Sequence, residues 1–163
     1  MPLRNPTDLP DLLRPGERLA GLDLGTKTIG IALSDAFRSI ASPLTTLTRK
    51  RFQDDAAALK ALCDQHRIAA LILGLPLNMD GSEGPRVQAT RAFARNLLAL
   101  HDPVIVFWDE RMSTQAVTRG MIEGDLSRKR RSEIVDQVAA SWILQGVLDR
   151  LSYLKTAAER AAL

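Results

Sequence analysis

Three acidic residues stand where solvation does not readily explain them. Asp23 lies within an apolar run from Leu19 to Gly25. Strand alternation puts it on the face opposite Leu22 and Leu24, beside Gly21 and Gly25, which carry no side chain. A lone ionised acid is expensive to bury there. Asp109 and Glu110 close a second apolar run, Pro103 to Trp108, so they project at the carboxyl edge of a sheet, where open α/β sheets usually put their ligands. Asp136 shares the apolar stripe of a helical pattern with Ala139, Ala140, Ile143, Val147 and Leu151. Acids brought together from three elements repel one another unless a cation sits between them. Hard oxygen donors with no His or Cys nearby in sequence select Mg2+ or Mn2+ over Zn2+. Two such ions about 4 Å apart activate a water and stabilise the leaving oxygen of an in-line phosphoryl displacement. The chemistry indicated is metal-dependent phosphodiester cleavage. Each acid also has a plainer explanation. Asp23 could bind turn amides, Glu110 could pair with Arg111, and Asp136 could lie near a helix N-terminus for its dipole.

The other titratable residues offer less. His66 and His101 fall near predicted helix ends without a Cys or Asp at ligand spacing, and Ser34 and Ser82 lack a His-containing motif. The lone Cys63 cannot form an internal disulfide, which suits a reducing cytosol, and reads as a small buried hydrophobe. Net charge is +3 with a pI near 9.4, compatible with an anionic partner. Two basic groups stand out, Arg128, Lys129, Arg130 and Arg131, and the shorter Arg49, Lys50 and Arg51. Each could meet phosphates or simply be a solvated loop or helix start.

The elements that must position the acids are legible in the pattern. At 163 residues, 45% hydrophobic and 25% charged, the chain suits one globular domain. No run approaches a membrane span, and the Pro-rich start, Met1 to Arg18, has no signal-peptide core, so a cytoplasmic location is expected. Leu19 to Gly25 and Thr28 to Asp35 read as a hairpin, and Ser42 to Thr48 as a third, more exposed strand. Phe52 to Arg67 has the 3.6-residue period of an amphipathic helix, and Ala69 to Leu75 is a strand buried on both faces. A turn-rich loop, 74–84, leads to a helix starting near Pro85, then to a fifth strand, Pro103 to Trp108. A short helix is predicted from a Ser113 cap through Ala116, Val117 and Met121 to Gly124, and Ser132 with Glu133 opens the last long helix. The expected fold is α/β, a five-stranded mixed sheet of three antiparallel strands followed by two parallel ones, flanked by helices. Residues 1–18 form an N-terminal extension and residues 19–163 the domain.

Four segments now become recognisable: GLDLGTKTIGIALSD (21 to 35), LILGLPLNMDGSEGPR (71 to 86), WDERMST (108 to 114) and KRRSEIVDQVAASWIL (129 to 144). In order and spacing they resemble the YqgF family, also called RuvX, a bacterial family of Holliday-junction resolvases or ribosomal-RNA-precursor nucleases. The resemblance spans Arg18 to about Asp149. It implies a ribonuclease-H-like fold, with Asp23, Glu110 and Asp136 at the positions of the family's acidic residues, catalytic and holding Mg2+ or Mn2+. Lys27, Asn78, Arg86 and Arg111 become candidates for contacting a nucleic-acid backbone or supporting the site, with Arg128, Lys129, Arg130 and Arg131 as further nucleic-acid-binding groups.

The resemblance favours 5′-end processing of pre-16S rRNA in ribosome biogenesis, with pre-rRNA and ribosomal precursor particles as partners, no membrane, and a monomer or homodimer. The alternatives are a resolvase acting on DNA junctions in recombination and repair, which needs two symmetry-related sites, and a non-catalytic assembly factor. A sugar-kinase or actin-like ATPase shares the Asp-Xaa-Gly-Thr hairpin, but closes two such domains over ATP where this chain has room for one.

Overall fold

Each apolar run forms the strand its pattern demands. The computed structural model describes residues 3–101, 103–112 and 128–163, the side chains of residues 3, 4, 112 and 128–133 apart. The strands are β1 (Leu3–Arg4), β2 (Arg18–Leu24), β3 (Thr28–Ser34), β4 (Ala41–Thr48), β5 (Ile68–Leu75) and β6 (Val104–Asp109). They lie side by side in the order β1-β6-β5-β2-β3-β4. The β2–β3–β4 meander is antiparallel, whereas β5 runs parallel to both β2 and β6. The helices are α1 (Leu9–Leu12), α2 (Phe52–His66), α3 (Pro85–His101) and α4 (Arg128–Ala161). The five expected strands and their senses are all present.

The structure adds a sixth strand. β1 pairs parallel with β6, Leu3 opposite Ile105, and Leu9 of the following turn is fully buried against the sheet. Two residues between prolines carry no alternation, so neither composition nor period reveals such a strand. The last helix also differs, since α4 starts at Arg128, ahead of the expected Ser132. Lys and Arg are good helix formers, and the basic cluster is the helix's first turn rather than a loop before it. The helix predicted between Ser113 and Gly124 lies outside the described residues.

Strand alternation sorts the core into two layers. Ala20, Leu22, Leu24, Ile29, Ile31, Leu71, Leu73 and Ile105 face α2 and α3, meeting Ala56, Leu59, Phe93 and Leu97. Leu19, Ala32, Ala70, Ile72 and Val106 face the other way, meeting Ala140, Ile143, Leu144, Val147 and Leu148 of α4, with Leu9 alongside. α2 ends at Arg67, which takes a left-handed conformation (φ 54°) and whose carbonyl accepts from the Arg18 amide at 2.9 Å, setting the start of β2. Among the described residues no helix is long and apolar enough to cross a membrane.

α4 approaches the sheet closely because two strand positions have no side chain. A Cβ on Gly21 would collide with the Ala140 carbonyl and the Leu144 Cβ, and one on Gly30 would overlap the Asp136 backbone. We therefore expect Gly30→Ala to destabilise the fold by about 1–3 kcal/mol, the usual range for overpacking. Denaturant melts of both proteins check this, and an unchanged midpoint would mean that α4 does not seat on β3 in this way.

Candidate functional site

Asp23 sits on the α4 face of the sheet, in register with Gly30 of β3. The missing side chain at Gly30 lets the α4 backbone settle there at Asp136. The Thr28 hydroxyl, two residues before Gly30, donates to Asp136 Oδ2 and orients that carboxylate. On the other side of β2, Leu22 pairs with Leu73, so Asp23 and Gly74 come next along their strands. Where a Cβ on Gly74 would stand, Glu110 Oε1 and the end of Ile143 from α4 already lie. Asp23 thus meets on one face two acids more than eighty residues away in sequence, and lies between them.

Their electrostatics reflect the crowding. Asp23 is pushed up to about 6, first by burial and then by the Asp136 charge, with Arg86 pulling the other way. Glu110 is pushed up to about 7, first by burial and then by the Asp23 charge, again opposed by Arg86, with Asp109 adding a smaller repulsion. Among the described residues no three His, Cys, Asp or Glu side chains are grouped so that they could hold a metal ion as they stand. The plainer reading of Asp136 as a helix-terminal acid loses its ground, because α4 begins at Arg128 and Asp136 lies beyond the first two turns. Nor is Glu110 paired with Arg111. That arginine grips Asp109, its Nη2 donating to Oδ2 at 2.6 Å and its Nε to Oδ1 at 3.0 Å.

Other sequence candidates scatter around the acids. Arg86, in the first turn of α3, donates to the Leu24 carbonyl at 3.4 Å and is the cation felt by both Asp23 and Glu110. Lys27 is exposed in the β2–β3 turn. Arg111 also donates to the Met79 carbonyl at 3.3 Å, tying down the loop after β5. Within that loop Asn78 donates to Ser82 Oγ, and Asp80 accepts from the Ser82 amide and hydroxyl. Arg128, Lys129, Arg130 and Arg131 start α4, but their side chains lie outside the described residues. Sequence reasoning missed Thr28, whose role exists only where β3 meets α4. It also treated Arg49 only as one of a basic cluster. Its single signal was the place immediately after β4, beside the hairpin turn.

The model of the family described as RuvX, Holliday junction resolvase, matches residues 17–150. A protein of Cereibacter sphaeroides is 61% identical over 136 residues, 83% of this chain and 85% of that protein. One of Ruegeria pomeroyi is 60% identical over 142 residues, 87% of this chain and 92% of that protein. Both carry the name "Putative pre-16S rRNA nuclease". Among solved structures, T. thermophilus RuvC in complex with a Holliday junction matches with TM-score 0.53 at 12% identity, covering 83% of this chain and 96% of that one. The yeast mitochondrial Holliday junction resolvase matches with TM-score 0.51 at 10% identity, covering 95% and 89%. These two likenesses show the fold, the ribonuclease-H-like one expected from the motifs.

The crowding has a measurable consequence in the metal-free protein. Asp23 and Glu110 bind protons more tightly when folded than in the unfolded chain, where carboxylates titrate near 4. Their contribution to stability is complete below about pH 4 and is lost as pH rises through about 6 and 7. Asp35 and Asp109 are shifted downward, so their contributions change only at lower pH, outside this window. In EDTA the melting temperature should be higher at pH 5 than at pH 8, and Asp23→Asn should shrink the difference. Thermal melts of the two proteins at both pH values check this, and equal pH dependence in the two would mean that Asp23 is not strained.

Proposed function

Because the chain belongs to the RuvX Holliday junction resolvase family, we propose that it is a nuclease whose acids Asp23, Glu110 and Asp136 converge on a scissile phosphodiester. The observation that carries this reading is the placing of three acids on one sheet face, at positions flanked by Gly30 and Gly74. A purely structural role would not crowd like charges there, since each raises the free energy of its neighbour.

The donor set fits a hard divalent cation. It consists of carboxylates without thiol or imidazole, which suits Mg2+ or Mn2+. Asp23 feels the charge of Asp136 and its own charge is felt by Glu110, so it would be shared, with Asp136 on one side and Glu110 on the other. Such an ion, when bound, would polarise the phosphodiester and lower the pKa of an attacking water. The protein's own residues do the rest. Thr28 fixes the Asp136 carboxylate through its hydroxyl, Arg86 partly offsets the clustered negative charge, and the face of α4 carrying Ile143 and Leu144 closes over the floor of the site.

For substrate, the relatives' shared name supports the precursor of 16S rRNA, and such a substrate would place the protein in ribosome biogenesis in the cytoplasm. The family description supports the second reading, a four-way DNA junction. Side-by-side cleavage assays on both substrates with Mg2+ or Mn2+ distinguish them. In either case we expect Asp23→Asn, a near-isosteric change, to keep the circular dichroism of the wild type and lower cleavage by more than about 100-fold, at least the loss seen when groups supporting a metal site are removed. Cleavage at the wild-type rate in saturating metal would remove Asp23 from the site.

A further inference from the structure

Beside the acids, on the other face of the β2–β3 turn, lies a cleft of about 50 Å3 lined by Leu24, Gly25, Arg49, Arg86, Thr90 and Phe93. Two guanidinium groups reach it from different elements. Arg49, just past β4, donates to the Gly25 carbonyl at 2.7 Å, while Arg86 of α3 donates to the Leu24 carbonyl at 3.4 Å. The Arg49 guanidinium lies over the Phe93 ring, 5.7 Å from its centroid, and Phe93 is itself held edge-on by Phe52. Stacking of this kind restricts the side chain and leaves much of its N–H edge open to further acceptors.

We propose that Arg49 and Arg86 together form a subsite for one phosphate of the nucleic-acid strand, neighbouring the phosphodiester held at the acids; the proposal rests on the nuclease reading above. The charge balance supports it. Among the described residues the ion pairs are Lys60–Asp64, Arg91–Glu83 and Arg111–Asp109, so neither Arg49 nor Arg86 is neutralised by a contacting carboxylate. Each is anchored instead on a backbone carbonyl, which orients it, while Arg86 also feels the Asp23 and Glu110 charges without contacting either acid. Two like charges directed at one small cleft repel each other, and an anion between them removes that cost. A phosphodiester oxygen pair matches the planar fork of arginine. The position also tracks the chain, since Leu24 and Gly25 are the residues directly after Asp23, so a strand lying across the acids passes the cleft within a residue or two of backbone.

The test is equilibrium binding of a single-stranded ten-nucleotide oligouridylate, followed by fluorescence anisotropy in EDTA over a range of salt. Arg49→Gln, Arg86→Gln and the double variant are compared with wild type, and Gln keeps a donor for each carbonyl. If both arginines share one phosphate, the double variant lowers the slope of log affinity against log salt by about 0.7, one contact on a single strand. A slope unchanged from wild type, or a wild type without measurable affinity, overturns the proposal. A fall of about 1.4 overturns it too, because it assigns the arginines to separate phosphates. Arg49→Lys with Arg86→Lys guards against folding defects: it should restore the slope but leave affinity below wild type, since charge returns without the fork. Because no cleavage is involved, failure here is separable from failure of the nuclease reading, which the Asp23→Asn assay decides.

Discussion

A carboxylate in the middle of a sheet can be joined by two others only where the neighbouring strands present no side chain, and this packing constraint organises the whole site. Gly30 on one flank admits the α4 backbone at Asp136, and Gly74 on the other admits Glu110. Burial first, and then mutual repulsion, raises the proton affinity of Asp23 and Glu110. A protein tolerates such strain when surrounding structure over-determines it, and here the strands beneath are among the most buried elements of the chain, with Leu19, Leu22, Ile72 and Leu73 fully enclosed.

The long helix α4 links that strain to the core. Its apolar stripe, Ala140 through Leu148, covers the sheet face from which Asp23 projects, and the same helix carries Asp136 one turn earlier. Packing and site geometry are therefore not separable there. Displacing the stripe by a methyl group at Gly21 or Gly30 would also move the carboxylate. The remaining reach of α4 is held by side chains at the far edge, where Gln145 donates to the Ser39 carbonyl and accepts from the Ala41 amide, and Gln137 donates to Thr46.

Charge is arranged in layers around the acids. Asp109 and Arg111 pair with each other and fix the loop after β5, so that the arginine nearest Glu110 in sequence does not pair with that acid. Arg86 stands off from Asp23 and Glu110, moderating them without direct pairing, and Arg49 is set on Phe93 in the same cleft that Arg86 lines. Cationic groups beside, rather than upon, an acidic cluster leave room for a polyanion and its counter-cations.

The five principal strands, their parallel and antiparallel halves and the helical stripes are legible from the residues alone, because hydrophobic period and turn chemistry are local properties. The three acids are marked in the same way, since an ionisable residue in an apolar run stands out before any fold is known. What the sequence could not contain was anything decided by contact between distant segments. β1 exists only because β6 offers it an edge. Arg111 could be read from sequence as a partner for Glu110, but it found Asp109, two residues away, where the 310 turn after β6 brought the pair together. Thr28, Gly30 and Gly74 look like ordinary strand residues in sequence. Their part in the site was decided by tertiary structure alone, because only strand register and the seating of α4 bring them beside Asp136 and Glu110.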